Sequence, residues 1–213
     1  GEDWLHIVRT RSLEMHSFQY EADANDGEAR YGEIAVESLD GSVRLVYTVY
    51  QHAAVKSQSD DIREALIDLY NSTDGDRWTR NDNWCSDLPL SEWYGITTNK
   101  EAGISDDDGV ARIALSNNNL TGTLPSSIGL LSGGRIGVSL SSNHISGTLP
   151  KEAFRLETLD LGNNEIDAIE APDDPSGIMA IHIYLQNNRI SGPLPGYLGY
   201  APVLRNLRLE NNC

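Results

Sequence analysis

The chain has 213 residues, with 32 acidic and 16 basic side chains and a formal charge of −16. That length can bury a core in one large or two small units, and 39% hydrophobic content excludes a disordered polymer. The acidity excludes nucleic acid and anionic lipid as partners held by charge, and no apolar run reaches the roughly 18 residues of a membrane-spanning helix. The charge is uneven: residues 61–109 hold 12 acids and 4 bases, whereas residues 110–213 hold 9 and 7.

The first fifty residues have strand character. Leu5–Val8, Met15–Tyr20, Glu33–Glu37 and Val43–Gln51 carry alternating or β-branched patterns, and Leu39-Asp40-Gly41-Ser42 is a hairpin signal between the last two. Trp4-Leu5, then Asn25-x-x-x-x-Arg30-x-Gly32-x-Ile34-x-Val36, then Val49-x-Gln51 resemble the C-terminal half of a BACON domain. That family is an immunoglobulin-like β-sandwich of Bacteroidetes surface and secreted proteins. The resemblance implies part of a sandwich over residues 1–55 and an association with glycans or mucins.

Residues 56–109 come next. Ser59 to Tyr70 has a cap-like start and apolar residues at 62, 65, 66 and 69, the spacing of an amphipathic helix. Gly75-Asp-Arg-Trp78, Asn83-Trp84-Cys85 and Trp93-Tyr94-Gly95-Ile96-Thr97 follow. This string resembles the N-terminal cap of plant-type and bacterial leucine-rich repeat proteins. The plant cap bonds two cysteines around this stretch, and here Thr97 and Thr98 stand where the second is expected. Cys85 and Cys213 are read as free thiols. Trp78, Trp84 and Trp93 are expected to plug the open end of the first repeat. Asp74, Asp76 and Asp106–Asp108 lack a calcium-loop pattern and are read as solvated acids.

From residue 110 the chain repeats. Ile113, Leu115, Asn118, Leu120, Gly122, Leu124 and Pro125 set a frame, and Val138, Leu140, Asn143, Ile145, Gly147, Leu149 and Pro150 restate it. The asparagines Asn118, Asn143, Asn164, Asn188 and Asn212 recur at spacings of 25, 21, 24 and 24. Alternate leucines point inward from a short strand. Each asparagine amide offers two donors and an acceptor to the backbone where the chain turns. Glycines at 122, 147 and 192 suit a tight bend, and prolines at 125, 150 and 195 start the next helical turn. The third copy lacks Gly-x-Leu-Pro, which predicts a looser acidic loop at 167–176.

The pattern resembles the plant-type leucine-rich repeat. The resemblance implies an α+β solenoid: a right-handed coil with short parallel strands on its concave side, a helical N-terminal cap and about five repeats over residues 110–213, the last incomplete. The antiparallel β segment precedes it. The inward leucines then fix which residues line the concave face. The candidate binding residues are Arg112, Asp160, His182, Tyr184, Gln186, Arg208 and Glu210. The five asparagines are expected to be a structural ladder.

No His-Glu-x-x-His, Gly-x-Ser-x-Gly, phosphate-binding loop or dinucleotide fingerprint is present, so a non-catalytic chain without metal or cofactor is expected. The function expected is a secreted or cell-surface protein-binding module, an outer-membrane lipoprotein being one form of it. A glycan- or mucin-binding module working through the β segment or the cap aromatics, and a structural spacer, are the alternatives. Ending at Cys213 in mid-repeat, the array is expected either to continue or to pack end to end as a dimer through an uncapped C-terminus.

Overall fold

The chain divides into two compact units, Gly1–Lys56 and Ser57–Cys213. In the computed structural model, residues 5–8, 19–23, 28–37, 44–51, 58–105, 109–131, 135–170, 178–192, 198 and 201–213 are described.

In the first unit, β1 (Leu5–Val8) pairs antiparallel with β2 (Gln19–Ala22), and β3 (Arg30–Glu37) pairs antiparallel with β4 (Arg44–Gln51). The β3–β4 register runs from Arg30 opposite Gln51 to Glu37 opposite Arg44, so it brackets the predicted hairpin turn, whose residues lie outside the described ones. The predicted strand at Met15–Tyr20 is described only from Gln19, where β2 begins. Arg30 and Gln51 do related work: Arg30 Nη2 and Gln51 Nε2 both donate to the Asp23 carbonyl, at 2.9 and 2.8 Å, and Arg30 Nε donates to Gln51 Oε1. Two of the motif residues therefore fasten the end of β2 to the β3–β4 ribbon.

The second unit starts with α1 (Gln58–Ser72). Its predicted apolar stripe, Ile62, Ala65, Leu66 and Leu69, is buried in one core with the repeats. Trp78, Trp84 and Trp93 are buried too, and they interlock. Ring centroids lie 5.2 Å apart for Tyr70–Trp78, 4.8 Å for Trp78–Trp84 and 5.2 Å for Trp84–Trp93. Edge-to-face and tilted packing of this kind adds to area burial. The indole N–H of Trp78 donates to the Thr73 carbonyl and that of Trp84 to the Tyr94 carbonyl. Cys85 and Cys213 are unpaired and exposed, and Thr98 is buried.

The main sheet grows strand by strand away from the cap. β5 (Ile96–Thr98) runs antiparallel to β6 (Val110–Ala114). β8 (Gly137–Ser139), β10 (Thr158–Asp160), β12 (His182–Tyr184) and β13 (Asn206–Arg208) then add in parallel, one per repeat. Parallel order follows because each crossover returns the chain to the same end of the coil. A 3₁₀ turn, Ser126–Leu131, follows Pro125, and another, Lys151–Arg155, follows Pro150. Pro195 lies outside the described residues.

A second, parallel sheet joins β7 (Thr121–Thr123), β9 (His144–Leu149) and β11 (Glu165–Ile169). Here the structure corrects the sequence reading. Residues 167–169 are strand, not loop. Glu165 and Ile166 pair with Ser146 and Gly147, and Ala168 and Ile169 with Thr148 and Leu149, so Asp167 is an inserted bulge. A bulge absorbs one residue and lets pairing resume without the missing glycine. The Glu170 N–H still donates to the Leu149 carbonyl, and residues 171–176 of the predicted loop fall outside the described residues.

The asparagine column is the internal scaffold. Asn143 Nδ2 donates to the carbonyls of Leu115 and Leu140, both at 2.9 Å, and its Oδ1 accepts from the N–H groups of Asn118 and Leu120. Asn164, Asn188 and Asn212 repeat the scheme, accepting from Ile145, Ile166 and Ile190. Asn118 starts it by exchanging hydrogen bonds with the backbone of Arg80. Buried backbone groups need such partners.

Candidate concave-face interface

The register of the main sheet aligns side chains from successive repeats. Arg112, Gly137, Thr158, His182 and Asn206 form one column, continued on the cap side by Thr97. Ala114, Ser139, Asp160, Tyr184 and Arg208 form the next. The leucine, isoleucine and valine between them point inward: Ile113, Val138, Leu159 and Ile183 are all buried. Beyond the strands the backbone ladder continues, Asn117 N–H to the Ser141 carbonyl and Asn187 N–H to the Glu210 carbonyl, so a third column of Ser116, Ser141, Gly162, Gln186 and Glu210 stays in step.

The halves of this face differ. In the first two repeats the side chains are mostly small, Arg112 apart, and the Ser116 hydroxyl lies 2.8 Å from that of Ser139 and 3.0 Å from that of Ser141. In the last repeats they are large. The rings of His182 and Tyr184 are parallel within 4°, with centroids 6.2 Å apart. Asn206 Nδ2 stands 2.7 Å from His182 Nδ1. With the amide as donor, the ring keeps its own proton on Nε2. Arg208 pairs with Glu210 at 2.8 Å, an exposed pair that adds little to stability. Arg112 is exposed, and no described residue pairs with it. Asp160 accepts from the Gly162 N–H at 3.1 Å.

Sequence reasoning missed a second asparagine column. Asn163, Asn187 and Asn211 have left-handed backbones, with φ of 57°, 56° and 58°. Asn187 Nδ2 donates to Asn163 Oδ1 and Asn211 Nδ2 to Asn187 Oδ1. The signal was the doublet Asn-Asn at 163–164, 187–188 and 211–212, because asparagine tolerates this conformation better than most residues. It is a surface tie, and separately His144 and Arg189 both reach Glu165.

The Leucine Rich Repeat family matches residues 111–131, the first full copy of the frame. The repeat unit has the leucine-rich repeat fold. The BIR2 ectodomain from Arabidopsis thaliana aligns at 27% identity and a TM-score of 0.58, covering 72% of this chain and 80% of that one. The PEPR1–AtPEP1 structure aligns at 27% identity and a TM-score of 0.57, covering 72% of this chain. This chain spans only 21% of that one. The BIR3–SERK2 complex from Arabidopsis thaliana, at 23% identity and a TM-score of 0.56, covers 70% of this chain and 81% of its own, and is alike in fold. No curated protein matches the chain.

Elsewhere on the leucine-rich repeat unit, a cleft of about 420 Å³ beside α1 is lined by Asp60, Arg63, Asp87 and Leu90. Its cation is already engaged: Arg63 donates to the Ser86 and Leu88 carbonyls and lies over the Trp93 ring. The three cap tryptophans offer no open indole face to a sugar, since each is buried against the next. No helix among the described residues is long and apolar enough to cross a membrane.

Proposed function

We propose that this chain is a secreted or cell-surface protein-binding module whose site is the C-terminal half of the concave face. The observation that carries this reading is the gathering of His182, Tyr184 and Arg208 on adjacent parallel strands, with Gln186 and Glu210 just past their ends, beside a half that offers mostly small residues. Tyrosine and arginine anchor interfaces because they bring large contact area and directed hydrogen bonds. The likeness to PEPR1, whose structure includes AtPEP1, and to the BIR2 ectodomain supports both a protein ligand and a place outside the cell.

Selection of a displayed random-peptide library on the whole chain tests it. Enriched peptides should bind the Tyr184→Ala/Arg208→Ala double variant at least tenfold more weakly. Equal binding to both proteins removes the concave site.

A second reading, glycan contact by the first unit, is favoured by one feature. Tyr31 and Tyr50 face each other across β3–β4 and are 69% and 58% exposed. A glycan array probed with the chain and with a Tyr31→Ala/Tyr50→Ala variant decides it, and an array without hits ends this reading.

A further inference from the structure

Asp160 is a half-buried carboxylate on the concave face that no cation among the described residues pairs with. Among the described residues, only the Gly162 N–H satisfies it, at 3.1 Å. The nearest concave arginine in its own column, Arg208, is taken by Glu210 at 2.8 Å. Next to Asp160 lies an unmet acceptor. The Gln186 side chain crosses over Gly162: its Nε2 is the atom nearest the point a Cβ on Gly162 would occupy, with its Cδ at 2.8 Å and Asp160 Oδ1 at 3.3 Å from that point. The carboxylate and the amide are therefore immediate neighbours. Gln186 Oε1 is buried and has no hydrogen-bond donor among the described residues. A terminal amide turns easily about its last torsion, so this oxygen can be brought to the surface by an incoming donor. Tyr184 stands directly beside Asp160 in the register, with its hydroxyl free of any described partner.

A carboxylate with one backbone donor and no described cation, beside an amide oxygen with no described donor, defines what is missing. Leaving buried acceptors unmet is costly, and a planar group carrying several N–H donors repairs both at once. A guanidinium fits this need: it bonds a carboxylate in a fork and stacks on an aromatic face. We infer that Asp160, Gln186 and Tyr184 form a receptor for one arginine side chain of the protein partner, with Asp160 and Gln186 accepting its N–H groups and Tyr184 supplying a ring face. This rests on the concave-face reading above and names the partner chemistry it requires.

The test is an amide-resolved NMR titration of the whole chain with acetyl-Gly-Arg-Gly-amide, with acetyl-Gly-Lys-Gly-amide and acetyl-Gly-Glu-Gly-amide as comparisons. The arginine peptide should produce saturable shifts at Asp160, Gly162, Tyr184 and the Gln186 side-chain amide. The lysine peptide should bind several-fold more weakly, and the glutamate peptide should leave these signals in place. Asp160→Asn keeps the acceptor for the Gly162 N–H and should weaken arginine binding at least tenfold. Gly162→Ala should do the same by pushing the Gln186 amide aside, since Gly162 has no left-handed backbone to strain. Absence of shifts, shifts that survive Asp160→Asn, or equal response to the glutamate peptide overturns the inference. The two failures separate cleanly. Displayed peptides that lose binding on Tyr184→Ala/Arg208→Ala but not on Asp160→Asn discard the arginine receptor and keep the concave site.

Discussion

Strands β8, β10 and β12 carry two faces built on opposite rules. Inward, Val138, Leu159 and Ile183 are interchangeable apolar side chains, each buried to 1% exposure or less. The turn after each strand holds the same asparagine making the same bonds. Outward, the matching columns change at every step, from Gly137 to Thr158 to His182 and from Ser139 to Asp160 to Tyr184. The repeating face is what makes the coil, so a substitution there is felt as stability. The varying face bears no part of the coil's packing and is free to carry recognition.

The largest effect belongs to the inner column. Asn143→Ala removes the partners of four backbone groups, the Leu115 and Leu140 carbonyls and the Asn118 and Leu120 N–H groups. Orphaning buried groups of this kind should cost about 4 kcal/mol, read as a lower urea midpoint. A midpoint unchanged from the parent would erase the distinction between the faces. The outer column should respond less. Asn187→Ala keeps the left-handed turn with a residue that resists it and should cost about 1 kcal/mol, while Asn187→Gly should cost less because glycine accepts that backbone. The concave face should respond least in stability: Tyr184→Ala should stay within about 0.5 kcal/mol of the parent while losing peptide binding. A Tyr184→Ala protein as unstable as Asn143→Ala would assign the tyrosine to the scaffold.

A pH dependence refines the cap. Burial first, and then the hydrogen bond to Asp76 at 2.8 Å, raise Tyr70 above its ordinary value of 10.0. The folded chain therefore keeps the phenol proton at a pH where the unfolded chain releases it. That contribution is full below pH 10 and fades as pH climbs past it. Urea midpoints should fall more steeply above pH 10 for the parent than for Tyr70→Phe. Parallel curves would remove Tyr70 from the pH response.

Much of this contrast is readable in the residues themselves. Ile113, Leu115 and Asn118 recur so regularly that they place every strand of the main sheet from Val110 to Arg208, and with them the outward columns. The second sheet is harder to foresee, because Thr121–Thr123 and Glu165–Ile169 pair only with equivalent segments of neighbouring repeats and carry little strand pattern of their own. Asp167 was unreadable for a related reason: a bulge is defined by what the partner strand does. The unmet acceptor of Gln186 depends on where its amide falls across Gly162, a meeting of residues 24 positions apart. No local spacing announces it.

The inner asparagines also point one way along the chain. Asn143 accepts the Asn118 N–H of the repeat before it and donates to that repeat's Leu115 carbonyl; Asn164, Asn188 and Asn212 reach back likewise to Leu140, Leu161 and Leu185. Each turn of the coil is thus closed by its successor. On a ribosome, where the N-terminal part emerges first, a repeat waits for the next asparagine, 21 to 25 residues later, before its backbone is complete. The array is a vectorial assembly in which every module is finished by the one made after it.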